Sequence, residues 1–148
     1  MNTIDEVIST FEDLDNQLRL ELLLDYAEKL PSLPEEYRNE EQIEAHLVHE
    51  CQTPVSLWVT VFNGKVHIYA DVPRESPTVR GFVALIIKVF NGVSPAEVER
   101  APADFLHRTG LANTLGMIRL HGLSALYKRI KDETHRASLL NSVKQQRG

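Results

Sequence analysis

The stretch 55–71 restricts the fold of this chain more than any other part of the sequence. Residues 55–62 alternate in polarity with a period of two and are rich in β-branched side chains, which is typical of a half-buried β-strand. Asn63 and Gly64 follow, and this pair favours a tight turn because both residues tolerate a positive φ. Residues 65–71 resume the alternation. The segment therefore predicts an antiparallel β-hairpin.

Helical patterns precede this hairpin. Thr3 and either Asp15 or Asn16 are placed to cap two amphipathic helices within residues 3–30. A lone hairpin is marginally stable, so we also expect a third short strand at residues 45–48. The acidic segment between these two regions, residues 31–44, predicts a surface loop with one helical turn. Its length is unusual for a structureless segment, which leaves a binding or gating loop open as an interpretation.

Helical patterns also follow the hairpin. The first is apolar nearly all round, which predicts a helix buried on most sides. The predicted order is a buried helix that begins at Ser76-Pro77 and closes at Gly92, short helices at Ser94 and over 103–108, a linker over 111–116, an amphipathic helix from Ile118, and a frayed polar tail over 137–148.

Helices, then strands, then helices indicate an α+β fold rather than alternating βαβ units. We predict a single domain over 1–148, in which a small antiparallel sheet built on the hairpin packs against N-terminal and C-terminal helices. Its predicted parts are N-terminal helices over 3–30, a cysteine loop and hairpin over 45–71, a helical part over 76–136, and the tail.

Composition excludes several classes of function. A net charge of −5 and a pI near 5.7 argue against nucleic-acid binding, and the basic residues near the C-terminus, Arg129 among them, are interpreted as a solvated helix face. One cysteine cannot form an internal disulfide and fits a reducing compartment. No apolar run approaches the roughly 20 residues that span a bilayer, and the N-terminus is acidic where a signal peptide is basic. The sequence predicts a cytoplasmic protein that does not enter a membrane.

Cys51 is the one thiol and the strongest candidate for chemistry. It lies where a loop enters a strand, a place where scaffolds present reactive groups. Composition alone favours a buried, inert cysteine. His46 and His49 lie near it in sequence, whereas the carboxylate of Glu50 would disfavour the thiolate form. A hydrolytic cysteine–histidine dyad has little support, because no protease signature surrounds the cysteine.

Two further readings of this region remain open. His46, His49 and Cys51 form a loose soft-metal pattern that Glu50 or Asp71 could complete, although histidines that bind no metal are favoured at such spacing. The second interpretation is that the chain is a non-catalytic adaptor in which the cysteine is structural. The glycines are scattered and lack the spacing of a phosphate-binding loop, so nucleotide binding has no support.

Residues 48–55, Val-His-Glu-Cys-Gln-Thr-Pro-Val, resemble the signature of the SufE-type sulfur-acceptor family, a Val-x-Gly-Cys-Gln-Ser-x-Val-Trp-like run. Asp71, Val79-Arg80-Gly81-Phe82 and Arg119-Leu120-His121-Gly122-Leu123 resemble later family segments, so that the similarity runs from about Leu14 to Arg136. Two positions depart from the pattern. Glu50 replaces the glycine before the cysteine, which restricts the backbone of the loop, and Trp58 stands two residues later than the family tryptophan, where this chain has Ser56.

The resemblance implies a SufE/IscU-like fold and a role in iron–sulfur cluster assembly. A cysteine desulfurase of the SufS or CsdA type, which carries pyridoxal phosphate, would transfer persulfide sulfur to Cys51. The transfer would stimulate the desulfurase. This chain would then pass the sulfur to an iron–sulfur scaffold protein. The chain itself would bind no cofactor, have no independent activity, and be a monomer or weak homodimer.

The resemblance also implies roles for residues around the cysteine. Gln52 would belong to the cysteine loop, while Asp71 and Gly81 would belong to the surrounding face. Arg119 would dock the partner or stabilise the thiolate, and near Cys51 it would offset the effect of Glu50, provided the fold brings them together.

Overall fold

The computed structural model describes the backbone of residues 3–147 and the side chains of residues 3–142. Within that range the chain forms eight α-helices and one hairpin, which confirms the predicted α+β class. In chain order the elements are α1 (Ile4–Glu12), α2 (Asn16–Ala27), a 3-10 turn (Glu35–Tyr37), α3 (Glu40–Ala45), β1 (Ser56–Phe62), β2 (Lys65–Asp71), α4 (Pro77–Phe90), α5 (Pro95–Arg100), α6 (Phe105–Arg108), α7 (Leu111–Leu115) and α8 (Met117–Arg147).

The predicted hairpin is confirmed. Strands β1 and β2 pair antiparallel with Val59 opposite Ile68, and the turn between them has φ values of 52° at Asn63 and 72° at Gly64. One face of the hairpin belongs to the core, with buried side chains from both strands, and helix α8 packs against β1. Trp58, on the opposite face, is covered by Tyr37. The two rings are stacked, with their centroids 4.9 Å apart. The hairpin is thus covered on both faces near Trp58, whereas Thr60 and Phe62, closer to the turn, are exposed.

Helix α4 is the centre of the core, as its apolar sequence predicts. It is buried along most of its length and packs closely against α2. At Gly81 the two helices are so close that a β-carbon would collide with the backbone carbonyl of Leu23. Gly81 therefore sets the distance between the two helices.

The predicted third strand at residues 45–48 is wrong. Asn39 caps α3 by accepting a hydrogen bond from Gln42 N at 2.9 Å, and the helix continues through Ala45. Too few residues then remain before the cysteine loop to form a strand, and only an isolated bridge joins Leu47 to Ser56. The acidic segment 31–44 accordingly contains a 3-10 turn and most of α3, rather than one helical turn in a loop.

The predicted linker over 111–116 is also wrong, because residues 111–115 form helix α7. Leu111 and Leu115 are buried on its inner face, and this packing stabilises a helix that would be too short to persist alone. Gly110 and Gly116, with φ values of 80° and 79°, separate α7 from its neighbours. Tertiary burial thus makes a helix of a segment whose sequence is too short to predict one.

Helix α8 is longer than the sequence predicts. It continues past residue 136 to Arg147, through most of the predicted tail, while Gly148 lies outside the described residues. Alanine and leucine at 137, 139 and 140 favour helix, and extending an existing helix costs little. None of the helices in the described range has both the length and the apolar character needed to cross a bilayer.

Candidate functional site

Cys51 lies in a loop that is closed by its neighbours. We call residues 49–54 the Cys51 loop. Val48 N donates a hydrogen bond to Val55 O at 2.8 Å, and Leu57 N donates to His46 O at 3.0 Å, so the two chain segments are joined below the loop. We call Val48 and Val55, which form this junction, the neck of the loop. Both side chains are buried and fix the neck to the core. The loop therefore projects from a fixed base.

The thiol of Cys51 is half-buried and lies against helix α8. It faces Gly122, where a β-carbon would stand 3.7 Å from Sγ. Because glycine has no side chain, the sulfur lies next to the backbone of the helix with nothing between them. Cys51 is therefore not the fully buried cysteine that composition favours.

The thiol opens into a cavity of about 340 Å³ between the loop and the start of α8. The lining comes from loop residues 50–53, from Val79 of α4, and from residues 117–119 and 121–123 of α8. Met117 and Ile118 form an apolar rim and are 82% and 77% exposed. Apolar side chains this exposed are typical of a contact surface when they border a cavity.

Glu50 makes an ion pair with Arg129 of α8. Nη1 of Arg129 donates to Oε1 and Oε2 of Glu50 at 3.2 and 3.1 Å, and Nε of the same guanidinium donates to Glu133 Oε1 at 3.1 Å. That Arg119 near Cys51 offsets the effect of Glu50 on the thiol stays a prediction. Arg119 lines the cavity, but in the described part of the chain its guanidinium forms no ion pair with Glu50.

The sequence alone does not reveal the roles of Arg129 and Gly122. Its charge pattern assigns Arg129 to a solvated helix face, and Gly122 enters only as part of a motif. The two residues are seven apart, which is two helical turns, so they share one face of α8. That spacing is the one sequence signal that relates them, and it has meaning only once α8 is known to face the loop.

The other predicted site residues divide into two groups. Gln52 lines the cavity with Cys51. Asp71 ends β2 opposite Ser56, and Gly81 faces Leu23 of α2, so neither contributes to the cavity lining. The functional roles suggested for these residues stay predictions.

The metal pattern is not assembled. The ring of His46 stacks on Trp58 with the ring centroids 4.8 Å apart, and Nδ1 of His46 lies 2.9 Å from Gln42 O. No three His, Cys, Asp or Glu side chains within the described residues are grouped to hold a metal ion. The hydrolytic dyad is absent from the same residues: His121 lines the cavity, yet no histidine is hydrogen-bonded to the thiol.

The groups with clearly shifted pKa values lie away from the cavity. Burial raises the pKa of Tyr26, Tyr37 and Tyr127 above the ordinary tyrosine range, most of all for Tyr127. The Tyr127 hydroxyl donates to Pro102 O at 2.7 Å. These shifts belong to packing and stability rather than to the chemistry of the thiol.

Most of the chain, the cavity included, matches a known family of domains. The family model of the SufE Fe-S metabolism associated domain matches residues 5–134 of the sequence. An uncharacterised SufE-like protein of Mycobacterium tuberculosis is 36% identical over 127 residues, which cover 85% of this chain and 87% of the relative. Another from Synechocystis is 33% identical over 114 residues, covering 77% and 68%.

A solved structure resembles the whole arrangement. The solution structure of a hypothetical protein from Thermus thermophilus matches with a TM-score of 0.78 and 34% sequence identity, and the match covers 92% of this chain and 96% of the other. The fold described above is therefore shared with an independently solved protein.

Proposed function

This chain belongs to the SufE family, whose domain is associated with Fe–S metabolism, and on that premise we propose that it accepts sulfur from a cysteine desulfurase onto Cys51. The donor is an enzyme of the SufS or CsdA type that carries pyridoxal phosphate, whereas this chain uses only its own thiol. The sulfur then passes to an iron–sulfur scaffold protein. The chain acts as a monomer or weak homodimer in a reducing compartment such as the cytoplasm.

The transfer is a thiol–persulfide exchange. The Cys51 thiolate attacks the outer sulfur of the donor persulfide, a new S–S bond forms at Cys51, and the S–S bond of the donor breaks. The electron pair of the broken bond stays on the donor cysteine, which leaves as a thiolate, while the proton of the persulfide stays with the transferred sulfur. No oxidant or reductant is consumed, so one cysteine suffices.

The observation that carries this proposal is the half-buried thiol at an open cavity with an apolar rim. The cavity of about 340 Å³ leaves room for the extra sulfur of a persulfide beside the sulfur of Cys51. Arg119, which lines the cavity, is available to attract a thiolate or a persulfide anion. Met117 and Ile118 offer a partner an apolar contact beside the reacting atom.

Stimulation of the desulfurase follows from the same step. The donor cysteine cannot accept another sulfur atom while it holds a persulfide. By removing that sulfur, Cys51 returns the donor to its free thiolate and allows the next turnover. Partial burial of the loaded sulfur also limits its exposure to oxidants.

The test is intact-protein mass spectrometry after incubation with L-cysteine and a SufS- or CsdA-type desulfurase. We expect the chain to gain the mass of one sulfur atom and the gain to disappear in Cys51→Ser. With a thiol reductant present, sulfide release should rise with chains that keep Cys51 and not with Cys51→Ser. The matched control is His49→Ala, which alters an exposed residue of the same loop and keeps the thiol. Absence of sulfur on Cys51 with a competent partner contradicts the proposal, and full cellular activity of Cys51→Ser would instead favour an adaptor.

A further inference from the structure

We propose that Arg129 is a positioning residue for the Cys51 loop: through Glu50 it holds the loop against α8, and release of this contact lets the thiol leave the cavity. The inference rests on the proposed function for its purpose, because a thiol that must meet a partner's sulfur has to become accessible. The contact itself can be tested without any partner.

The Cys51 loop has few other attachments. Within the described residues, residues 49–54 make none of the backbone hydrogen bonds that join the two segments below them, and His49 and Glu50 form a turn. The pair with Arg129 is also the one hydrogen bond or ion pair made by a side chain of the loop in that range. Two contacts therefore join the loop to α8: the packing of Cys51 and the ion pair of Glu50.

These two attachments lie along one face of α8. The thiol packs on Gly122, and the Glu50 carboxylate binds Arg129 two turns further on, about 10 Å along the helix axis. Adjacent residues of the loop thus contact the same helix at two separate points. Loss of the ion pair removes one of these two points and leaves the packing of Cys51 beside Gly122.

The guanidinium of Arg129 is itself held in place. Its Nε donates to Glu133, one turn later on α8, which leaves Nη1 directed to Glu50. The side chain of Arg129 is 32% exposed and that of Glu50 is 51% exposed. A pair with this exposure is open to competition from salt or from the charged groups of a partner, so the contact can be released.

The contact also accounts for the acidic residue before Cys51. Glutamate next to a thiol disfavours the thiolate, and an arginine that binds the carboxylate offsets this repulsion. Where the SufE signature has a flexible glycine, this chain has Glu50, whose side chain binds Arg129 and holds the loop.

The experiment measures alkylation of Cys51 by iodoacetamide, a small uncharged reagent, in the full chain. The variants are Glu50→Ala, Arg129→Met, and the charge-swapped pair Glu50→Arg with Arg129→Glu. Lys128→Met is the matched control, because Lys128 precedes Arg129 on α8 and pairs with Asp132 at 3.7 Å instead of with the loop. Far-UV circular dichroism and urea unfolding of each variant establish that it is folded.

We expect both single variants to react about two- to fivefold faster than the unsubstituted chain, the range that an exposed ion pair supports. The swapped pair should return the rate towards the original value, and Lys128→Met should leave it unchanged. High salt should raise the rate in the unsubstituted chain and have little effect in the single variants.

A purely electrostatic role gives a different pattern. Removing Glu50 would then speed alkylation and removing Arg129 would slow it, because their charges act on the thiolate with opposite signs. That pattern, or unchanged rates in both variants, overturns the proposal. Failure of the proposed function is separate: sulfur uptake would then be absent in every variant while the alkylation rates still differ.

Discussion

Gly122 lies so close to Cys51 that a β-carbon at residue 122 would stand 3.7 Å from Sγ. This distance is an ordinary van der Waals contact, so a methyl group fits there without displacing the thiol. A methyl group would nevertheless cover the side of the sulfur that faces the helix. Stability and reactivity should therefore respond in opposite directions at this position.

We expect Gly122→Ala to raise the free energy of unfolding by about 0.5–1 kcal/mol, since alanine favours a helix interior more than glycine does. The same variant should be alkylated at Cys51 more slowly than the unsubstituted chain. Urea unfolding and iodoacetamide kinetics measure the two effects. Ser124→Ala, an exposed change on the same helix, serves as the control for reactivity and should leave the alkylation rate unaltered. An unchanged rate in Gly122→Ala would show that the added methyl group does not obstruct the sulfur.

Gly81→Ala should destabilise the protein strongly. The added β-carbon would meet the backbone carbonyl of Leu23, and a backbone atom cannot turn aside as a flexible side chain does. Overpacking of this kind costs about 1–3 kcal/mol or more. Urea unfolding measures the loss, with Lys88→Ala on the exposed side of α4 as the control. A loss no larger than that of the control would mean that α2 and α4 can move apart freely.

Gln42→Ala should reduce stability through Trp58. The indole N–H of this buried side chain donates to Gln42 Oε1 at 3.2 Å, and an unsatisfied buried donor costs about 1–3 kcal/mol. Trp58 is the one tryptophan of the sequence, so its fluorescence follows unfolding directly. Glu41→Ala, an exposed change in the same helix, should have a smaller effect. Equal losses in the two variants would argue that the hydrogen bond contributes nothing measurable.

Alkaline pH should destabilise the fold through Tyr127. Burial raises the pKa of Tyr127 in the folded state, whereas the unfolded chain releases the same proton near pH 10. The folded state therefore binds more protons above that pH, and stability falls as pH rises, while below about pH 10 the contribution is fully present. Tyr127→Phe should make this decline shallower in unfolding experiments between about pH 9 and 11. Tyr69→Phe is the control, and equal slopes in the two variants would count against Tyr127 as the source.

Features that depend on neighbouring residues were predictable from the sequence. Thr3 and Asp15 cap α1 and α2 as their positions indicate, by accepting hydrogen bonds from Glu6 N and Leu18 N. Asn63-Gly64 forms the turn that its tolerance of positive φ predicts. In each case the responsible interaction spans three residues or fewer, and so the local sequence contains both partners.

Features that depend on distant residues were not predictable. Glu50 and Arg129 are 79 residues apart, and both are ordinary surface residue types, so nothing in the sequence pairs them. The short helix α7 is stabilised by burial of Leu111 and Leu115, which requires the rest of the core to be in place. The cysteine itself is recognisable through its motif, while its surroundings become visible only in three dimensions.

Because Val48 and Val55 form the neck, the stability of the fold does not depend on which residues make up the Cys51 loop. Its hydrogen bond uses backbone atoms and its side chains are buried, so residues 49–54 can change in composition while the neck stays closed. We therefore expect substitution at residue 50 to change the stability of the fold little. The surroundings of the thiol can thus be changed within residues 49–54 while the scaffold that carries them stays the same.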